Sequence, residues 1–394
     1  MKTKLHLKIK LAALALAFTA AAPLGRAQIS IPFADGSDGA LNLTSGTNTL
    51  NLAQAVTGVW TNTSSSPGNG IYDPTQWAVV FKYSSVNIAS NTMLTFTNHP
   101  THAPVVWLVN GSVTINGTLN LSGNNGNSDP LNLTEPGPGG FRGGGDPLYG
   151  EGSGFGPGGG SDAGAGAYYG YYGNPQIIPL IGGSGATGWG GYNGGGGGGA
   201  ILIAVTGTIT VNGACLANGG WGNWGYSGSG GAIRLVANQI AGNGTIQALG
   251  GSGATVGRIR LEANTVSGAL TLNPVTAGLA PAAPPTIFPA TNSATVSVLS
   301  VQGLTAPTDP KAVMSPNTSA DDLTLVTTNS VNILLQTQNF PTNGTVTVLV
   351  KPRNALQTTL TASFVSGNTN AALWQVTTVL PYPAHTVIQA HATY

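Results

Sequence analysis

The stretch from Gly194 to Gly220, GGGGGGAILIAVTGTITVNGACLANGG, divides after its glycines into three short β-strands separated by two tight turns. Apolar residues alternate with others along each strand, which is typical of a strand with one buried face. Thr206-Gly207 and Asn212-Gly213 interrupt the alternation, and such pairs favour turns. Three sides and two corners predict one triangular coil of a parallel β-solenoid.

The same arrangement recurs on both sides of this stretch. Its copies begin near Val79, Val105, Ile201, Ile233 and Ile259, and they follow one another at similar intervals except where a long insertion precedes Ile201. Coils of this size bury their apolar side only by stacking. The sequence therefore predicts an all-β chain, in which a right-handed parallel β-helix of about five rungs spans residues 28–272.

The composition fits stacked coils better than disorder. The chain has 394 residues with 60 glycines, only 6% charged residues and 41% hydrophobic residues. Glycine suits corners and close backbone contacts, and neutral columns avoid stacking like charges. Alternating apolar residues at this frequency can build a core, which excludes disorder for most of the chain.

The segment from Met1 to Ala27 predicts export. A basic segment, an apolar run and small residues ending at Ala27 are typical of a secretory signal peptide that is too short to anchor the chain. Its removal takes away five of the 13 basic residues and leaves eight against 12 acidic ones, a net charge of −4. A nucleic-acid partner is therefore not expected, nor is a transmembrane segment after cleavage. An extracellular or outer-surface location is expected.

Three further segments complete the predicted organisation. Residues 124–199 form a Gly/Tyr-rich insertion with 30 of the 60 glycines, and its strap Pro175 to Gly183 is expected to cover an outer face of the β-helix that is apolar. Residues 273–292 form a Pro/Ala-rich linker. Residues 293–394 contain seven or eight short alternating strands, which predict a β-sandwich of immunoglobulin-like or fibronectin-like architecture.

The chain resembles a group of glycine-rich exported bacterial proteins, mostly of unknown function, and more loosely the pectin-lyase-like right-handed β-helix fold. The strings that carry the resemblance are YGNPQIIPLIGGSG, GGGGGGAILIAVTGTITVNG, GGAIRLVA and VGRIRLEA. The looser resemblance implies polysaccharide lyases and hydrolases as well as adhesins. Such enzymes place several carboxylates on one outer sheet, whereas Glu262 is the only carboxylate in the strands of the four clear coils. No catalytic residue is therefore predicted.

The candidate ligand-binding residues are aromatic rings that stack on sugars and two arginines that hold an anion such as a uronate. The alternatives are that the rings pack against glycine backbone and that the arginines form a charge pair with Glu262. Cys215 is expected inside the core, level with Leu119 and Ile246 of neighbouring coils. The candidates are Tyr168, Tyr169, Tyr171, Tyr172, Trp189, Trp221, Trp224, Arg234 and Arg260.

Metal and cofactor sites are not predicted. Asp35 and Asp38 are weak candidates for Ca²⁺, because two carboxylates beside glycine turns supply too few ligands and Asx turns explain both. His99 and His102 have no third ligand nearby in the sequence, and two prolines mark a turn there.

The sequence thus favours an exported structural or adhesive protein that contacts extracellular polysaccharide, matrix or other copies of itself without chemical change. A carbohydrate-active enzyme, a polysaccharide lyase or a glycoside hydrolase with its site in the Gly-rich insertion, is the alternative. Three or more carboxylates converging in one groove would favour the enzyme.

Overall fold

A computed structural model describes residues 28–128, 133–145, 154–156, 174–223, 226–306, 323–352, 358–381 and 386–394. This part of the chain is built from β-strands, with one short 3-10 helix at Leu52–Gln54 and no α-helix among the described residues. No helix in this described part is both long and apolar enough to cross a membrane.

The first 17 strands belong to two sheets in which every pair is parallel except β4 with β5. Their bounds are β1 (Gly39–Leu43), β2 (Gly46–Asn51), β3 (Val56–Thr57), β4 (Ile71–Asp73), β5 (Ala78–Ile88), β6 (Thr92–Thr97), β7 (Val105–Val109), β8 (Val113–Ile115), β9 (Thr118–Asn120), β10 (Ala200–Val205), β11 (Thr208–Val211), β12 (Ala214–Leu216), β13 (Ala232–Ala241), β14 (Thr245–Gln247), β15 (Arg258–Val266), β16 (Thr271–Asn273) and β17 (Gly278–Leu279).

The prediction of a right-handed parallel β-helix is wrong. Six parallel strands instead close on themselves as a barrel, in the order β10-β7-β5-β8-β11-β13 and back to β10. The closure depends on β5 and β13, because β5 pairs with both β7 and β8, and β13 pairs with both β10 and β11. A second parallel sheet of six strands has the order β16-β14-β12-β9-β6-β2.

The error arose at corners that lack glycine. In the copies that begin near Val79 and Ile233, the three-strand pattern predicts one corner between Tyr83 and Val86 and another between Ala237 and Ile240. The chain runs through both places without a break, as β5 and β13. At Asn110-Gly111 and Thr206-Gly207 the strands do end. Where the corner lacks glycine, the backbone stays extended. The two strands predicted on either side of that corner therefore form one continuous strand and belong to one sheet.

The interior of the parallel sheets is apolar and in register. Cys215 lies between Leu119 on β9 and Ile246 on β14, and all three side chains are buried. The prediction that these residues share one inward column is confirmed. The column forms because every second residue of a strand faces the same side of the sheet. Parallel pairing in register then places corresponding residues of neighbouring strands next to one another.

The outer face of the first strands is also buried, as the sequence predicted from its apolar residues. Val106, Leu202 and Val236 belong to a second core cluster, separate from the interior one. The predicted strap covers part of this face through Ile177 and Leu180. Residues from outside the insertion contribute too, and they are Ile29, Ile31, Ile287 and Phe288. The segment regarded as a linker therefore also packs against the parallel sheets.

The remaining eight strands form two antiparallel sheets around one apolar core. Trp374 and Phe340 meet edge-to-face inside it. The first sheet contains β18 (Thr295–Val301), β19 (Leu304–Thr305), β20 (Ser330–Gln338), β23 (Ser363–Asn368) and β24 (Ala371–Val379), and the second contains β21 (Thr345–Pro352), β22 (Thr358–Thr361) and β25 (Thr386–Thr393).

Candidate ligand-binding surface

Six consecutive glycines, Gly194 to Gly199, form the centre of a hydrogen-bonded layer next to β10. Their N–H groups donate in turn to carbonyls of three neighbouring segments, so that glycines three residues apart donate to the same segment. The six bonds, of 2.8 to 3.0 Å, run from Gly194 to Gly144, Gly195 to Tyr226, Gly196 to Asn124, Gly197 to Phe141, Gly198 to Ser229 and Gly199 to Leu121. A period of three is that of an extended polyproline-II-type helix with three residues per turn.

Only glycine fits at the centre of this layer. A Cβ atom built on any of the six residues would come within 3.0 Å of a neighbouring backbone atom, closer than real Cβ atoms approach. The segments therefore pack backbone against backbone, and their polar groups pair with one another, as buried backbone groups must. We call the six glycines, together with the segments 121–124, 141–144 and 226–229 that accept their hydrogen bonds, the glycine layer.

A two-glycine hairpin at the layer presents Trp189. Trp189 and Tyr192 exchange backbone hydrogen bonds of 3.0 and 3.1 Å across Gly190 and Gly191, which have φ angles of 63° and 81°. Positive φ at both central residues is the requirement of a tight type I′ hairpin and favours Gly-Gly. The indole of Trp189 is 39% exposed and lies 6.0 Å from the ring of Tyr226.

Trp221 is a second exposed ring, and amides hold its backbone. Its backbone N–H donates to Asn125 Oδ1 at 2.8 Å, and its backbone carbonyl accepts from the N–H of Gly126. The next residue, Gly222, contacts the backbone of Tyr226 so closely that a Cβ would not fit. The Trp221 side chain is 47% exposed. The buried Tyr226 thus contacts one exposed indole, Trp189, through its ring, and contacts Gly222, the neighbour of the other exposed indole, through its backbone.

Asparagines complete the surface. Asn193 Nδ2 donates to Asn127 Oδ1 at 3.1 Å, and the backbone N–H of Asn193 donates to the carbonyl of Asn127. We define the aromatic-amide surface as the exposed Trp189, Trp221, Asn125 and Asn127, together with the buried Tyr226 and Asn193 that support them. The predicted binding residues Tyr168, Tyr169, Tyr171, Tyr172 and Trp224 lie outside the described residues.

The two predicted arginines form a buried charge cluster with Glu262. Arg234 Nε donates to Glu262 Oε1 at 2.9 Å, and Arg260 Nε donates to the same oxygen at 2.6 Å. Arg234 Nη1 also donates to the carbonyl of Thr286 at 2.7 Å. Burial alone would raise the pKa of Glu262, but the two arginine hydrogen bonds and charges lower it on balance. With Arg234 only 2% exposed, this geometry matches the charge-pair alternative.

Asp35 and Asp38 are joined by a residue that the sequence analysis missed, the fully buried Lys82. Lys82 Nζ donates to the carbonyl of Asn62 at 2.5 Å and lies 3.7 Å from Asp35 Oδ2. Asp38 accepts from the backbone N–H groups of Lys82 and Gly68. Burial lowers the pKa of Lys82, and the two carboxylates oppose that shift. No group of three metal-ligating side chains occurs among the described residues.

A third polar cluster joins the histidine turn to the glycine layer. Arg142 Nη2 lies 2.7 Å from Glu135 Oε2, and Asn98 Nδ2 donates to Glu135 Oε1 at 2.9 Å. His102 Nε2 lies 3.5 Å from Glu135 Oε1, and burial, aided by Arg142 and His99 and opposed by Glu135, lowers the pKa of His102 to about 4. No local sequence pattern indicates this cluster, because Glu135 and His102 are far apart along the chain.

No protein-family model, no curated protein and no solved structure matches this chain. The arrangement of its own residues therefore carries the functional argument. In each of the three polar clusters, cations or backbone N–H groups bind the carboxylates, whereas the aromatic-amide surface contains two indoles that are 39% and 47% exposed.

Proposed function

We propose that this protein is exported and binds extracellular polysaccharide through the aromatic-amide surface, without changing it chemically. The observation that carries the proposal is the pair of exposed indoles of Trp189 and Trp221, which lie on two segments that both contact Tyr226. A large exposed ring on a firmly held backbone is typical of a binding site, because a protein normally buries its tryptophans.

The chemistry of the surface suits a neutral sugar. Indole faces stack on the C–H faces of sugar rings, and amide side chains can both donate to and accept from hydroxyl groups. The six residues of the aromatic-amide surface carry no charge. We therefore expect neutral glycans to bind better than acidic ones. Export is proposed from residues 1–27, which lie outside the described residues.

An enzyme remains the second candidate because Glu135 is partly exposed and lies in the Gly-rich insertion. Both oxygens of Glu135 have partners, in Arg142, Asn98 and His102. Glycoside hydrolysis uses a pair of carboxyl groups, and none of these three partners supplies the second one. The described geometry therefore favours binding over hydrolysis.

Titration of the full chain with a panel of neutral and acidic polysaccharides tests the proposal. We expect binding to a neutral polysaccharide, a loss of about fivefold or more in affinity for Trp189→Ala and for Trp221→Ala, and no new reducing ends. Phe364→Ala is the matched control, since Phe364 is a similarly exposed ring on β23. Unchanged affinity in both tryptophan variants would contradict the proposed surface, and release of reducing ends would favour the enzyme.

A further inference from the structure

The six-stranded parallel sheet has open strands at both of its ends. In the order β16-β14-β12-β9-β6-β2, the terminal strands β2 and β16 each pair with one neighbour. Next to β2, β1 also pairs only with β5. Within the described part of the chain, the outer edges of these strands have no backbone partner. An unpaired edge presents a row of N–H and C=O groups that can pair with another strand.

Neither end carries the charged residues by which proteins protect such edges. No Lys, Arg, Asp or Glu occurs from Gly39 to Asn51, at one end, or from Asn264 to Leu279, at the other. Each end also leaves leucines of the interior core only partly buried. These are Leu41, Leu43 and Leu50 at the β2 end, and Leu270 and Leu272 at the β16 end.

The chain leaves the β16 end without covering it. After β17 the backbone turns to the outer apolar face, where the carbonyl of Thr286 accepts from Arg234 and Ile287 joins the second core cluster. Val266 and Leu279 at this end remain exposed. The end of the sheet is therefore open to a partner that brings a strand of its own.

We propose that the partner is a second copy of this chain, with β16 of one copy pairing with β2 of the next. All neighbours in this sheet are parallel, and the column from Asn48 through Leu94 and Cys215 to Leu272 is in register. A copy displaced along the sheet places Asn48 beside Leu272 and continues that column. The two edges are opposite ends of one parallel sheet, so the backbone N–H and C=O groups of one edge are complementary to those of the other.

This contact is head-to-tail, because different surfaces of the two copies meet. Such contacts generate open chains unless a rotation closes them into a ring. The inference is independent of carbohydrate binding, since the edges and the aromatic-amide surface share no residue. Loss of one activity therefore leaves the other measurable.

Sedimentation velocity of the full chain, measured over a range of concentrations, is the first test. We expect a series of species that lengthens with concentration. Asn48→Lys blocks one end and Leu272→Lys the other, because an inward-facing lysine opposes pairing at an edge. Each variant alone should remain monomeric, because one of its two ends is blocked. An equal mixture should form dimers only, because the open β16 end of Asn48→Lys can pair with the open β2 end of Leu272→Lys.

The mixing experiment also verifies that the variants fold, because a misfolded variant would not dimerise. Should a variant fail to fold, the wild-type protein still decides the matter by electron microscopy of its largest species. Unbranched filaments would support end-to-end pairing. A monomer at every concentration, a closed two-fold dimer, or association that persists in both lysine variants would overturn it.

Discussion

Arg234 on β13 and Glu262 on β15 are diagonal neighbours on adjacent parallel strands, joined by a 2.9 Å hydrogen bond between side chains that are only 3% and 4% exposed. Arg260, two residues before Glu262 on the same strand, donates to the same carboxylate oxygen. The cluster also holds the segment after β17, because Arg234 binds the carbonyl of Thr286. One carboxylate thus balances two guanidinium groups and connects two parts of the chain.

Replacing Glu262 with glutamine should destabilise the fold. The change keeps the size of the side chain but leaves Arg234 buried without a counter-charge, which costs about 3–5 kcal/mol. Urea unfolding followed by tryptophan fluorescence measures the loss. Arg260→Gln is the control, because that side chain is 22% exposed and its removal should cost less. A loss below about 1 kcal/mol for Glu262→Gln would contradict this account of the cluster.

His102 should make the folded state sensitive to acid. Its pKa is lowered to about 4 in the folded protein, chiefly by burial, whereas an exposed histidine titrates near 6.5. The unfolded chain therefore binds the proton first, and stability falls as the pH decreases from about 6.5 to about 4, by about 3 kcal/mol in total.

The variant His102→Gln tests this assignment. It should make the free energy of unfolding less dependent on pH over the same range. His391→Gln is the control, because His391 is an exposed residue of β25. Equal slopes for His102→Gln and the wild type would show that His102 is not the titrating group.

The glycine layer should not tolerate a methyl group at its centre. Gly197→Ala would place a Cβ against the carbonyl of Gly183, and overpacking of this kind costs about 1–3 kcal/mol. Gly58→Ala is the matched control, because its Cβ would be 3.5 Å from Ile71, an ordinary contact. Urea midpoints of the two variants should differ accordingly. Equal stability of the two would mean that the layer is looser than described.

Cys215 should be chemically silent in the native protein. Complete burial raises the pKa of its thiol to about 12, so the reactive thiolate is scarce at neutral pH. A thiol-reactive aromatic disulfide should therefore label the folded chain very slowly and should label one thiol per chain in denaturant. Rapid labelling under native conditions would place Cys215 outside the core.

Local patterns in the sequence predicted the strands and their register well. The column of Leu119, Cys215 and Ile246 followed from alternation and from Asn-Gly turns, which depend on neighbouring residues only. The closure of the barrel could not be predicted in this way. It depends on whether β5 and β13 bend or stay straight at Ser84-Ser85 and Asn238, and serine and asparagine are compatible with both.

The polar clusters and the glycine layer were harder to predict for a different reason. Lys82 meets Asp35, and Glu135 meets His102, although the members of each pair are distant in the sequence and no local pattern joins them. The six glycines have no side chains that could show a period, so their three-residue repeat exists only in their hydrogen bonds. Two rings of the candidate surface, Trp189 and Trp221, were predicted from residue type alone.

The central claim is that Gly194 to Gly199 form an ordered, hydrogen-bonded layer that holds the aromatic-amide surface. Amide hydrogen exchange of the full chain tests it most directly. We expect the six glycine amides to exchange as slowly as those of the adjacent strand β10, while the amide of the exposed Val275 exchanges fast. Exchange of the six glycines as fast as that of Val275 would contradict the claim.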